Sequence, residues 1–243
     1  MRAPVVRRTL EIEIAAARRR LGTAPRVLDV GGGSGVWAVP LAQAGCAVTV
    51  VDPSPNALAT LHRRSAEAGV QQLVSPVQGD ADSLADVVPP ASADLVLGHG
   101  VLEIVEDVVV AARALADATA PGGAVSVLVA NRYAAILVRV LAGRLADARR
   151  LLDDLHGRFG TADPLLRRFD TGGLTALLEG SGLVVELIQG DGVVADLIPS
   201  GVLEAHPGAT DQLAELELSA AARAPLRDIA SRLHALARCR DPG

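Results

Sequence analysis

The stretch Val27-Leu28-Asp29-Val30-Gly31-Gly32-Gly33-Ser34-Gly35 constrains this chain more than any other. An apolar run ends at an acid, and glycines then occur at alternate positions ahead of a helical pattern. Without a Cβ, glycine lets the chain turn tightly and lets its backbone approach a ligand closely. The N-terminus of the following helix supplies unpaired N–H groups. Three classes of cofactor site use such a loop, and spacing separates them. A dinucleotide fold needs its third glycine at 36, where this chain has Val36. A P-loop needs a lysine, and all 23 cationic side chains here are Arg. What stands is Asp29-x-Gly31-x-Gly33-x-Gly35.

The rest of the chain alternates short apolar runs with helical patterns. Residues 1–20 read as a helix with Val6, Leu10, Ile14 and Ala17 on one stripe, and Gly22 and Pro25 end it. Strands are expected at 26–30, 47–51, 73–78, 94–98 and 124–130, and helices at 35–44, 54–69 and 107–119. Strands separated by helices of this length mean βαβ units and a parallel sheet that binds ligands at the carboxyl ends of its strands. Further on, apolar stretches at 183–188 and 193–198 flank Gly190 to Gly192, which suggests a hairpin turn.

Half of the residues are hydrophobic, yet only Trp37, Tyr133, Phe159 and Phe169 are aromatic, and the net charge is −5. This argues against a generally basic nucleic-acid surface built on stacked aromatics. No run approaches the roughly 18 apolar residues of a membrane span. Glu11 and Glu13 fall where a signal peptide needs its apolar region, and Cys46 and Cys239 make neither a disulfide framework nor a metal spacing. A cytoplasmic location is expected. His62, His156, His206 and His234 show no ligand spacing, so they read as surface or packing residues and no metal is expected. Pro40 should kink the first core helix or end its first turn.

Residues 132–168 interrupt the α/β rhythm. They carry eight Arg against four Asp, a balance of +4 that leaves −9 for the remainder. This segment reads as a helical cap over the substrate, or as amphipathic helices with solvated arginines.

The alternating-glycine pattern resembles the first motif of class I S-adenosylmethionine-dependent methyltransferases, and later landmarks fall in that family's order. Asp52 closes the second strand, where an acid accepts the ribose hydroxyls, although Asp52 ahead of Pro53-Ser54-Pro55 also suits a helix cap. Asp80 and Ala81 follow the third strand, where the family's acid meets the adenine. His99, in Gly98-His99-Gly100, follows the fourth strand beside the methionine half. The resemblance implies S-adenosyl-L-methionine as cofactor, bound by Asp29, Gly31, Gly33, Gly35, Asp52, Pro53, Asp80, Ala81 and His99. It also implies an α/β, Rossmann-like seven-stranded mostly parallel sheet, within one domain over 1–243. An N-terminal helix occupies 1–24 and a helical cap follows strand five at 132–168.

Three stretches are similar to one subgroup, the tRNA carboxymethyltransferases that esterify uridine 5-oxyacetic acid at the wobble position. They are the His99-x-Val101-Leu102-Glu103 block, the run from Pro121-Gly122-Gly123 through Asn131 to Ala142-Gly143, and Arg168-Phe169-Asp170 leading to a hairpin at 182–198. Two positions depart from that group: Ala130 stands where an aromatic precedes the Asn, and Ser231-Arg232 stands where an Arg-Tyr pair enters the last strand. The subgroup implies a strand at 233–238, although Leu226, Ile229, Leu233 and Leu236 have helical spacing.

No Asn/Asp-Pro-Pro-Tyr run of amino-methylating relatives follows strand four. A carboxylate acceptor, already ionised at neutral pH, needs no base and is held bidentately by arginine. Arg132 leads the candidates, with Arg139 and Arg232 behind it and Asn131 and Tyr133 beside it. The expected acceptor is an anionic oxygen, with modified tRNA as the partner implied by the subgroup. A small-molecule, secondary-metabolite methyltransferase with an apolar pocket along 133–141, and a cofactor-binding protein without turnover, stay open beside it.

Overall fold

The computed structural model describes residues 4–198, 201 and 208–240; His206 lies outside them. Among the described residues one sheet contains β1 (Arg26–Val30), β2 (Ala47–Asp52), β3 (Val74–Gln78), β4 (Ala93–His99), β5 (Thr119–Ala130), β6 (Leu183–Asp191) and β7 (Arg232–Cys239). Its order is β3-β2-β1-β4-β5-β7-β6. The strands β3 to β5 run parallel, while β7 is antiparallel to both β5 and β6. The strand order reverses between β1 and β4, which places a crevice at their carboxyl ends.

Successive strand residues point to opposite faces, so the apolar runs feed two cores. Val27, Val48, Val50, Leu95, Leu97 and Leu128 pack under α1 (Pro4–Leu21), α2 (Ala38–Gln43) and α3 (Pro55–Glu67). Leu28, Val30, Val96, Val125 and Val127 face α4 (Val108–Ala118) and, further along, α7 (Thr171–Gly180). The expected stripe of α1 is the buried one, and Arg18, Arg19 and Arg20 occupy its last turn, where cations complement the helix dipole.

Arg238 of β7 ties α1 to the sheet. Its Nη1 and Nη2 donate to the buried Glu13 at 2.6 and 2.9 Å, and its Nε and Nη2 donate to Glu186 of β6 at 3.1 and 2.7 Å. Those bonds raise the arginine's pKa further above its ordinary value. Arg238→Met strands Glu13 in an enclosed position without its counterion, and breaking such a pair costs about 3 kcal/mol. The urea midpoint should fall accordingly with an unchanged slope. An unchanged midpoint would show that the network contributes no net stability.

Between β5 and α7 the chain forms α5 (Arg132–Leu141) and α6 (Leu145–Asp153), as expected for a helical insertion. Its two ends are tied together: the Arg132 N–H donates to the Phe169 carbonyl at 2.8 Å, and the Phe169 N–H donates to the Ala130 carbonyl at 3.0 Å. None of the described helices is long and apolar enough to cross a membrane.

Two sequence expectations need correction. The helix expected at 35–44 is only the six-residue α2, because Gly33 and Gly35 adopt φ of +55° and +79°, which a right-handed helix excludes. Pro40 lies in the first turn of α2, where its missing N–H is harmless. The hairpin at 182–198 does not form. β6 pairs with β7 instead, and 195–197 is a short 3-10 turn. The reason is Glu217 of α8 (Ala209–Ala220), whose buried carboxylate accepts the N–H groups of Val193, Val194 and Ala195 at 2.6, 2.9 and 3.0 Å. With their donors taken, these residues have none left for a ladder. The strand expected at 233–238 does form, as β7 from Arg232, and of the residues with helical spacing near 226–236 only Arg227–Ile229 makes a turn.

Candidate cofactor and acceptor site

The glycine loop is built around two acids. Asp29 is buried near the end of β1, and its Oδ2 has no hydrogen-bond partner. Burial, and secondarily the charge of Asp52, push its pKa up to about 7. Because this exceeds the unfolded value, the neutral form supplies stability that is full below about pH 4 and is lost as pH rises through about 7. The shift from 3.8 to about 7 corresponds to a loss on the order of 4 kcal/mol. Asp29→Asn should flatten thermal stability between pH 4 and 8; an unchanged decline would mean that another group titrates there.

Asp52 clamps the loop. Its Oδ2 accepts the Gly33 N–H and its Oδ1 accepts the Ser54 N–H, both at 2.9 Å. Ser54 then caps α3 by accepting from the Ala57 N–H at 3.3 Å. A carboxylate has about four lone-pair sites, so Asp52 keeps capacity for two hydroxyls. A Cβ at Gly33 would meet nothing nearer than Asp52 Oδ2 at 3.7 Å, so the space over this residue is an open cradle. Pro53 is exposed, Asp80 caps the turn Ala81–Asp86 through the Asp82 N–H at 3.4 Å, and Ala81 is buried beneath. An orphaned buried carboxylate, a glycine cradle and an acid with spare lone pairs fit a cofactor with a ribose and a cationic amino-acid end.

His99 ends β4 next to this loop, its ring edge-on to Trp37 at 5.0 Å between centroids. Its Nε2 lies 2.8 Å from the Ser126 hydroxyl, while Nδ1 is enclosed without a partner. Burial first, then the neighbouring His234 and Arg232, hold its pKa well below the ordinary histidine value, so the ring is neutral. Burial raises the pKa of nearby Glu103, whose Oε1 accepts the Ala130 N–H at 3.3 Å.

The expected acceptor residues separate into two groups. Asn131 is fully engaged: its Nδ2 donates to the Asp228 and Ala230 carbonyls at 2.9 and 2.7 Å, and its Oδ1 caps α5 through the Tyr133 N–H. Arg132 points away into the cap, where it donates to the carbonyls of Leu151, Leu152, Asp154 and Leu155 at 2.7–3.5 Å and closes the end of α6. Arg139 stacks over Phe159, 4.1 Å from the ring centroid. Tyr133 is exposed at the start of α5. Arg232 alone of the three arginines lies at the sheet's carboxyl edge, paired with Ala130 in the β5–β7 register. Its Nη2 donates to the buried Asp191, and 43 % of its side chain remains exposed.

Ser126, His234, Gln189 and Trp37 escaped the sequence reading. The available signal was polar residues at inward-facing positions of apolar strands: Ser126 between Ala124 and Leu128, and His234 beside Leu236.

The pattern of a methyltransferase domain matches residues 6–188. The chain belongs to that family. It carries a methyltransferase domain with the class I fold. Its curated relatives include ubiquinone biosynthesis O-methyltransferases from Xanthomonas euvesicatoria pv. vesicatoria, 33% identical over 147 residues (60% of each chain), and from Methylobacterium sp. (strain 4-46), 30% identical over 161 residues (65% of this chain and 62% of the relative). The chain thus spans about three-fifths of the length of these relatives. They are a different group from the tRNA carboxymethyltransferases that its motifs resemble. The fold is shared with an S-adenosylmethionine-dependent methyltransferase from Mesorhizobium loti, with a TM-score of 0.60, 21% identity and coverage of 92% of this chain and 96% of that one. It is shared too with 1,6-didemethyltoxoflavin-N1-methyltransferase from Burkholderia thailandensis, whose structure contains S-adenosylhomocysteine, with a TM-score of 0.55, 17% identity and coverage of 96% and 78%.

Proposed function

We propose that this methyltransferase esterifies a carboxylate on a small acceptor, and that Arg232 holds the acceptor. One observation carries this reading: a half-exposed guanidinium, with one edge on Asp191 and the remainder open, stands at the sheet's carboxyl edge near a neutral His99. Guanidinium matches a carboxylate bidentately. When bound, S-adenosylmethionine supplies a methyl carbon whose bond to sulfur breaks as the new bond to oxygen forms. Asp29, the Gly31–Gly35 loop and Asp52, with Pro53, Asp80, Ala81 and His99 around them, hold the cofactor. Arg232 orients the acceptor oxygen, and an ionised carboxylate requires no base.

The O-methyltransferase names of the curated relatives support oxygen as the acceptor atom. A small acceptor is favoured by the cap. Its Arg132, Arg167 and Arg168 turn their donors inward, to the carbonyls of Leu151, Leu152, Asp154, Leu155, Leu102, Val105, Glu106 and Gly157 and to Asp163, which leaves fewer donors for an RNA backbone. Meanwhile α5 exposes Leu137, Val138, Val140 and Leu141, which suits an acceptor with an apolar body.

Labelled-methyl transfer into a cell extract, followed by fractionation, tests the acceptor class. Label is expected in the small-molecule fraction, insensitive to ribonuclease and nearly independent of salt. Label in RNA that declines steeply with salt would instead establish the tRNA acceptor. An extract with every fraction unlabelled would contradict turnover.

A further inference from the structure

A chain of side-chain hydrogen bonds crosses the sheet to His99, and its other members are assigned no part in the function above. Beginning at α1, the Thr9 hydroxyl donates to the Val5 carbonyl at 3.2 Å, and its oxygen accepts from Gln189 Nε2 at 2.8 Å. The same Gln189 nitrogen lies 2.9 Å from His234 Nδ1. His234 Nε2 lies 2.8 Å from the Ser126 hydroxyl, which lies 2.8 Å from His99 Nε2. The chain thus runs from β6 through β7 and β5 to β4, and Ser126 and His234 are completely buried.

Proton counting fixes its direction. Ser126 has one hydroxyl proton between two imidazole nitrogens, so it donates to one ring and accepts from the other. Both rings are neutral, for burial lowers the pKa of His234 to about 3 and also holds that of His99 down. Thr9 spends its proton on Val5, so Gln189 must present an N–H to it, and the same amide nitrogen donates to His234 Nδ1. A neutral His234 that accepts at Nδ1 carries its proton on Nε2 and donates it to Ser126. Ser126 therefore donates to His99 Nε2, and the proton of His99 is forced onto Nδ1, the enclosed nitrogen without a partner. A Gln189 amide turned over would reverse every link, but it would need the Thr9 proton that Val5 holds.

We propose that Thr9, Gln189, His234 and Ser126 act as positioning residues that lock His99 into its Nδ1–H tautomer, making it a hydrogen-bond donor to a carboxylate in the cleft and not a base. The open edge of Arg232 acts on the same end of the sheet, so two donors serve that end. An enclosed donor without a partner is relieved when a ligand oxygen reaches it. This deepens the carboxylate reading and rests on it for the ligand class. The tautomer itself is measurable without turnover, so the two can fail separately.

Long-range proton–nitrogen correlation on uniformly ¹⁵N-labelled protein reads the tautomers directly. The account predicts opposite states in the two buried rings: His99 with a protonated Nδ1 and a bare Nε2, and His234 with a bare Nδ1 and a protonated Nε2. The reverse assignment would overturn it. Ser126→Ala, a change of one buried oxygen, should release His99 into a mixture of tautomers. An unchanged His99 spectrum in that variant would show that the chain does not set it. Three additions then locate the carboxylate. A downfield shift of the Nδ1 proton with S-adenosylhomocysteine but not with methylthioadenosine, which lacks the amino-acid end, assigns the donor to the cofactor's carboxylate. A shift that appears only when phenoxyacetate joins S-adenosylhomocysteine assigns it to the acceptor's carboxylate. No shift with any of the three would contradict the donor role.

Discussion

Gly33→Val should lose S-adenosylhomocysteine binding by at least about a hundredfold, a loss of roughly 2.7 kcal/mol or more. Position 33 sits at φ +55°, where a β-branched residue is strained. A Cβ there stands 3.7 Å from Asp52 Oδ2, so the two methyls beyond it enter the cradle over the acid. The variant also strains the Gly33 N–H bond by which Asp52 clamps the loop. Trp37, the chain's one tryptophan, lies against His99 at the end of the same loop and supplies a fluorescence readout. Ligand at a hundredfold over its dissociation constant stabilises a protein by about 2.7 kcal/mol, so the thermal shift of the parent protein should vanish as well. Normal binding by the variant would mean that the cofactor lies elsewhere.

The second large effect is expected at Arg232. Arg232→Lys keeps a cation beside the buried Asp191 but loses the planar fork that meets a carboxylate with two parallel bonds. A charge-assisted hydrogen bond contributes about 1.5–3 kcal/mol, so the acceptor KM should rise roughly ten- to a hundredfold. S-adenosylhomocysteine affinity should change by less than about twofold, since Asp52 and the glycine loop are untouched. Arg132→Lys supplies the contrast. Its guanidinium holds carbonyls at the end of α6, so it should lower stability while leaving the acceptor KM within about threefold. If the two variants exchanged these phenotypes, the acceptor would sit in the cap.

What could be read from the chain beforehand follows physical reach. Strand periodicity and the spacing of Asp29, Gly31, Gly33 and Gly35 are local patterns, and they yielded the sheet and the glycine loop that follows β1. The length of α2 was not legible, because nothing in Gly35-Val36-Trp37 announces that Gly35 takes a positive φ. The missing hairpin depended on Glu217, more than twenty residues further along the chain, capturing the donors of Val193 to Ala195. Among the arginines, composition showed a surplus at 132–168 but not its use. Arg132 is oriented by the backbone of α6, and Arg232 by Asp191 on a neighbouring strand, and neither contact leaves a trace in sequence spacing. The same holds for Ser126 and His234, whose 2.8 Å contact links residues 108 positions apart.

The central claim, methyl transfer to a carboxylate oxygen, is tested most directly by the chemical lability of the product. The protein is incubated with cell extract and S-adenosylmethionine labelled in its methyl group, and the product is then treated briefly with mild base at room temperature. A methyl ester hydrolyses under these conditions and releases its label as volatile methanol, whereas methyl ethers, methylamines and C-methyl groups retain it. The account predicts that most of the enzyme-dependent label is released as methanol, and that Arg232→Lys reduces that amount at limiting acceptor. Enzyme-dependent label that stays bound through base treatment would contradict it.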